Sequence, residues 1–332
     1  MRWIFFCYFI CTWFSSGYAS EGFTYTLAGD VMLGRHVAEG FHPLKKVESH
    51  LAQGDLTLVN QEFVFTNSTH HIGKKAFYFK APPSHVSILS NAGIDFVSLA
   101  NNHSLDYGKI GLKQTLAVLQ KKKITFAGAG FSFPQASEAA LFSKKGKRIA
   151  VIAATDNMPE WETCEKACVN FCAMDSTCLK RLTTQISDLK KNGIDFVIIS
   201  FHWGGNWVDK PSPVYRYYAH TLLDAGADLI FGHSAHTLQG IEVYKGKPIF
   251  YSLGNVIDDY ELDPKWRNDL SILAHVDYNN LGQLKKIRIT PIQINALKTQ
   301  IADQKNRDII FNRIKKLSAL LGSQIFSYLE IF

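Results

Sequence analysis

Short apolar runs alternate with stretches of helical spacing through the first two-thirds of the chain. The runs Phe23–Ala28, Leu56–Phe65, Phe96–Leu99, Ile124–Ala127, Ile149–Ala154, Phe196–Phe201 and Leu229–Phe231 predict strands. Between them, Val86–Ala92, Ile110–Leu119, Leu179–Lys191 and Tyr215–Ala225 carry the spacing of helices. Strands alternating with helices predict parallel pairing through helical crossovers. The pattern then changes. Ile241–Tyr244 and Ile249–Leu253 flank the turn Lys245-Gly246-Lys247, a hairpin signal. Leu270–Val276 and Leu284–Ile292 predict further antiparallel strands, and Ile309–Leu321 an amphipathic C-terminal helix. No repeat, low-complexity stretch or linker divides the chain, so residues 21–332 read as one α/β domain.

Composition adds little to this picture. An apolar content of 46% and a charged content of 20% describe an ordinary globular protein with core enough to fold. The formal net charge is +7, but the densest basic runs, Lys121–Lys123 and Lys144–Arg148, are short. They read as solvated faces or turns, so no nucleic-acid partner is expected. The mild basic excess favours an anionic substrate or the anionic envelope surface.

The first twenty residues change the picture more. Arg2 precedes the apolar run Trp3–Phe14, and small residues follow up to Ser20. This is the pattern of a signal peptide over residues 1–20, with an uncleaved anchor as the alternative. The protein is therefore expected to be exported, to the periplasm or the cell envelope. Four cysteines, Cys164, Cys168, Cys172 and Cys178, crowd an insertion near residues 156–180. In an exported protein they read as two disulfides, with three pairings open and a zinc knuckle as the rival.

Candidate chemistry lies where apolar strands end. Asp30, Glu62, Asn102 with His103, His202, and His233 with His236 all stand at or near such ends. In open α/β sheets, sites form outside the carboxyl ends of strands, so these chain-distant side chains can share one pocket. Singly, each has a structural reading as a turn, cap or core residue; the coincidence of five strand ends is what points to a site. Carboxylate and amide oxygens with imidazole nitrogens suit one or two divalent ions, Mn, Fe, Zn or Mg. Such ions make water nucleophilic at neutral pH, and a nearby imidazolium can protonate a leaving oxygen.

These residues stand in segments that resemble the CapA family of bacterial capsule and poly-γ-glutamate synthesis proteins, within the calcineurin-like metallophosphoesterase superfamily. The segments are Gly29-Asp30-Val31-Met32-Leu33-Gly34-Arg35, Asn60-Gln61-Glu62, Ala100 to Gly108, Ser200 to Gly204, Gly232-His233-Ser234-Ala235-His236, and Tyr251 to Asn255. They run in family order over roughly residues 23 to 277. The resemblance implies a four-layer αββα sandwich of two mixed sheets. It implies Asp30, Glu62, Asn102, His202, His233 and His236 as metal ligands, with Glu62 in the place of the bridging acid. It implies His103 as the outer acid oriented by Asp106, Arg35 on an anionic substrate oxygen, and Arg267 assisting. Met32 departs from the superfamily, which has a histidine there; His36 is a candidate replacement.

Three functions follow as expectations. One is a metal-dependent hydrolase on an envelope phosphoester or anionic polymer. Another is an accessory role beside a membrane synthase or export partner. The third is a binding module whose aromatics Trp203, Trp207 and Tyr215 grip a polymer, unless they pack the pocket wall.

Overall fold

In the computed structural model, residues 22–35, 37–38, 40–162, 167–323 and 325–331 are described. The signal-peptide segment, His36 and Cys164 lie outside them. Among the described residues no helix is long and apolar enough to cross a membrane.

Two mixed sheets face each other. The first runs in the order Lys298–Ile301, Leu284–Asn295, Leu270–Tyr278, Phe23–Val31, Leu56–Gln61, Phe96–Ser98, Thr125–Ala127, and Asn255–Ile257 pairs with Phe23–Val31 off this path. The second runs Ile241–Tyr244, Lys247–Phe250, Leu229–His233, Phe196–His202, Lys147–Thr155, Ala140–Lys144. In each, the strands nearest the site are parallel, and hairpin partners are antiparallel. Helices cover the outer faces. Leu112, Leu116 and Leu119 of the Gly108–Lys121 helix join the apolar layer outside the first sheet. Leu182 and Ile186 of Ser176–Lys191, with Leu222 and Leu223 of Pro213–Asp224, cover the second. The fold is thus the four-layer αββα sandwich expected.

The period of two along each strand builds the core and then the site. Leu56 and Leu58, Phe196 and Ile198, and Leu229 and Phe231 all enter the apolar layer between the sheets. Continuing each row by two residues reaches Asn60, Ser200 and then His202, and His233, all buried. The first strand begins likewise, with Phe23, Tyr25 and Leu27 in the same layer. Its pairing with Leu56–Gln61 then slips between Leu27 and Asp30. The additional residue turns Asp30 toward the inter-sheet side, which simple alternation would have denied it. Gly29 makes this possible: a Cβ there would lie 1.9 Å from the Gly254 carbonyl oxygen. That oxygen accepts the Asp30 backbone N–H at 3.0 Å.

The run Leu56–Phe65 is not one strand. It divides into Leu56–Gln61 in the first sheet and Val64–Phe65, which pairs with Lys80–Ala81 in a separate ribbon. Between the Lys147–Thr155 strand and the Ser176–Lys191 helix, the insertion holds the bridge Cys172–Cys178, and Cys168 is also disulfide-bonded. The C-terminal helix, Gln304–Ala319, places Ile310 and Ile314 in the inter-sheet layer.

Candidate metal centre

Five buried side chains converge where the two sheets meet. Asp30, His202 and His233 bring one donor atom each within 4.8 Å of one another, and so do Asp30, Glu62 and His236. The carboxylate common to both groups is Asp30, whereas Glu62, expected from the resemblance to bridge, belongs to one. Nδ1 of His202 lies 2.9 Å from Nδ1 of His233. The other nitrogen of His233 meets the Ser200 hydroxyl at 2.9 Å. Nδ1 of His236 is 3.0 Å from Oδ1 of Asn255 and 3.4 Å from Oδ2 of Asp30. Asn60 donates to Asp30 at 2.7 Å, and Asn101 donates to Asn60 at 3.0 Å.

Electrostatics sort these groups. Burial lowers the pKa of His202, and holds His233 down at about 4, so both keep free lone pairs at neutral pH. Burial alone would raise Asp30, but a hydrogen bond from His236 and the surrounding imidazoles hold it well below the usual carboxylate range. Burial lifts Glu62 to about 8. Burial would depress His236, yet the Glu62 and Asp30 carboxylates raise it to about 10.

This donor set fits a divalent cation. Nδ1 of His202 and Nδ1 of His233 face each other beside an ionised carboxylate, and since one proton at most fits between them, at least one lone pair points into the cluster. Oε1 of Glu62 and Oδ1 of Asn102 are buried and make no hydrogen bond, although buried polar atoms rarely go without one. The residue types are those of Mn, Fe, Zn or Mg sites. The chain's departure at Met32 is structural as well. That side chain is 2% exposed and belongs to the apolar layer outside the first sheet, so it supplies no polar donor.

Beside the donors lies a pocket of about 310 Å³, lined among others by Asn102, His103, His236, Trp207 and Tyr260. Asp106 stands 2.7 Å from Nδ1 of His103 and accepts the Phe79 N–H at 2.8 Å, so the ring is held from behind. Burial lowers His103 to about 4. Three expected residues have partners of their own. Arg35 is paired with Asp259 and lies over the rings of Phe77 and Phe79. Arg267 binds Asp269 at 2.8 Å and Asn306 at 2.8 Å, not the donor cluster. Trp203 is 4% exposed, and its Nε1–H donates to the Tyr251 carbonyl at 2.9 Å. It packs the wall, and Trp207 takes the pocket position instead.

Several residues escape a reading of strand ends. Asn255 and Asp258 back His236: Asn255 donates to Asp258, whose carboxyl burial raises to about 7. Asn255 stands in a segment shared with the family, which was the available signal. Lys75 comes from a polar loop that carries no such signal.

The model of the bacterial capsule synthesis protein PGA_cap family matches residues 24–260. The chain belongs to this family. Among similar proteins, the capsule biosynthesis protein CapA of Bacillus anthracis is 32% identical over 72% of this chain and 61% of its own length. The match therefore spans less than two thirds of that relative. A probable polyglutamine synthesis accessory protein of Mycobacterium tuberculosis is 30% identical over 82% of this chain and 74% of its own. Among solved structures, a 5'-nucleotidase precursor from Thermus thermophilus superposes with a TM-score of 0.46 at 12% identity. It covers 90% of this chain and 60% of the other, a likeness that carries no functional argument.

Proposed function

We propose that this PGA_cap protein is an exported, metal-dependent phosphoesterase-type hydrolase serving capsule or poly-γ-glutamate synthesis at the cell envelope. Its substrate on this reading is an envelope phosphoester or anionic polymer, with membrane synthase or export components as partners. The observation that carries the reading is the pair of three-donor groups sharing Asp30 beside the His103–Asp106 couple. The names of the relatives support the polymer pathway.

Asp30, Glu62, His202, His233 and His236 would hold one or two ions, with Asn102 as a further oxygen donor. When bound, such an ion supplies Lewis acidity and a nucleophile at neutral pH. The protein does the rest. Ser200 fixes Nε2 of His233 and leaves Nδ1 to the centre, while Asn255 and Asp30 share Nδ1 of His236 and leave Nε2 toward Glu62. Asp106 accepts the Nδ1–H of His103, which leaves the Nε2 lone pair free to take a proton from the attacking water and hand it to the departing oxygen. Burial of the whole cluster excludes bulk water and strengthens each of these interactions.

Elemental analysis of protein purified without chelators, beside His202→Ala and Asp30→Ala, tests the reading. The expected result is near-stoichiometric Mn, Fe, Zn or Mg, lost with phosphoester turnover in both variants. Turnover that survives in the double variant overturns it. A second reading, a non-catalytic accessory or polymer-binding protein, is favoured by the apolar Met32 at a superfamily ligand position; polymer binding without metal would support it.

A further inference from the structure

Lys75 sits in the loop between the strands Val64–Phe65 and Lys80–Ala81, and it lines the same pocket as Asn102, His103 and His236. Its side chain is 13% exposed. Its ammonium donates to Oδ1 of Asp106 at 2.5 Å and to the Asn102 carbonyl. The Trp161 ring packs 5.1 Å from Nζ. An ammonium has three N–H donors. The next polar neighbour is Nδ1 of His103 at 3.3 Å. That nitrogen gives its proton to Oδ2 of Asp106 at 2.7 Å, so it has no lone pair to accept with. Among the described residues, the third donor of Lys75 therefore meets no nitrogen or oxygen acceptor, and the Trp161 ring face is its remaining neighbour.

We infer that Lys75 is a substrate-binding residue, whose third N–H takes an anionic oxygen of a phosphomonoester head group seated against Asp30, Glu62 and His236. The substrate class rests on the phosphoesterase reading above. A monoester near neutral pH carries close to two negative charges and three non-bridging oxygens; a diester has two such oxygens. The donor cluster accounts for oxygens on one side of the head group. Lys75 supplies a fixed donor for the additional one, on the side of His103 where the leaving oxygen receives its proton. The Lys75–Asp106–His103 chain then links head-group recognition to the proton donor.

The rival role for Lys75 is that of a counter-ion for buried Asp106. Two variants separate the roles: Asp106→Asn, and the same change combined with Lys75→Met. The combined variant leaves no buried charge unpaired, and in Asp106→Asn the 13% exposed Lys75 ammonium keeps the Asn102 carbonyl and gains the new amide oxygen. The wild type and both variants, melted first to confirm a cooperative fold and then saturated with Mn, are titrated with inorganic phosphate by calorimetry. We expect the combined variant to bind phosphate about tenfold to a hundredfold more weakly than Asp106→Asn. Equal affinities would reduce Lys75 to a counter-ion and overturn the inference, as would a wild type that binds no phosphate. Turnover is scored separately on p-nitrophenyl phosphate and its bis-ester. Lys75-dependent phosphate binding with neither ester cleaved leaves the inference standing and removes the hydrolase reading. Cleavage favouring the diester, unaffected by the loss of Lys75, overturns the monoester assignment.

Discussion

At the scale of single residues, the centre is organised by protons it must give up. Without a cation, Glu62, at about 8, and His236, at about 10, both hold protons at neutral pH. Metal binding needs the bare oxygen and nitrogen. Because the charged carboxylate is part of what raises the imidazole, the pair titrates together; loading at pH 7 should release at least one proton per chain, and affinity should climb with pH. Calorimetry in two buffers of different ionisation enthalpy counts them, and no release would contradict the assignment. At His275, burial acts in the opposite direction from Glu62. It sits between Thr26 at 3.0 Å and Thr290 at 3.3 Å, and burial, helped by Arg288, lowers it from 6.5 to about 4. Its folded form is neutral, so the unfolded chain binds the extra proton between those two values. The stability it contributes is complete above about 6.5 and is lost as pH falls toward about 4. Urea titrations at pH 7 and pH 5 should show the wild type losing about 2 kcal/mol more than His275→Gln.

At the scale of elements, the strand rows were legible because one physical cause wrote both core and site. Leu56-x-Leu58-x-Asn60 and Phe196-x-Ile198-x-Ser200-x-His202 read as apolar rows ending in polar residues, and the sheets present them that way. Asp30 was legible as a candidate, but its orientation was not, because that depends on the slip beside Gly29. Gly29→Ala should cost at least about 2 kcal/mol, since its Cβ would press on backbone, and should lower metal content with it. Gly205→Ala, where a Cβ meets nothing within 4 Å, is the control expected to be silent. Denaturant midpoints and metal content of the two variants decide this. The edge strand Ala140–Lys144 stayed hidden because only Ala140 of it is buried. Lys75 stayed hidden because its loop has no periodicity, and tertiary contacts to Asp106 and Trp161 set its place.

At the scale of the molecule, the family match ends at residue 260, yet the inter-sheet layer does not. Ile310 and Ile314 close its end, and the Ser318 hydroxyl accepts the Ile241 N–H at 2.9 Å. Ile314, 1% exposed, should lose about 2–4 kcal/mol on truncation to alanine, measurable as a lower denaturant midpoint with metal content unchanged. The donors themselves come from both sheets: Asp30 from one, His202 and His233 from the other. An ion held there would act as a clasp across the sandwich, and at a hundredfold excess over its dissociation constant would add about 2.7 kcal/mol against opening. Metal supply and protein lifetime then become one variable. A cell starved of the ion would leave the clasp undone, and the more readily opened protein would be the first that proteases remove.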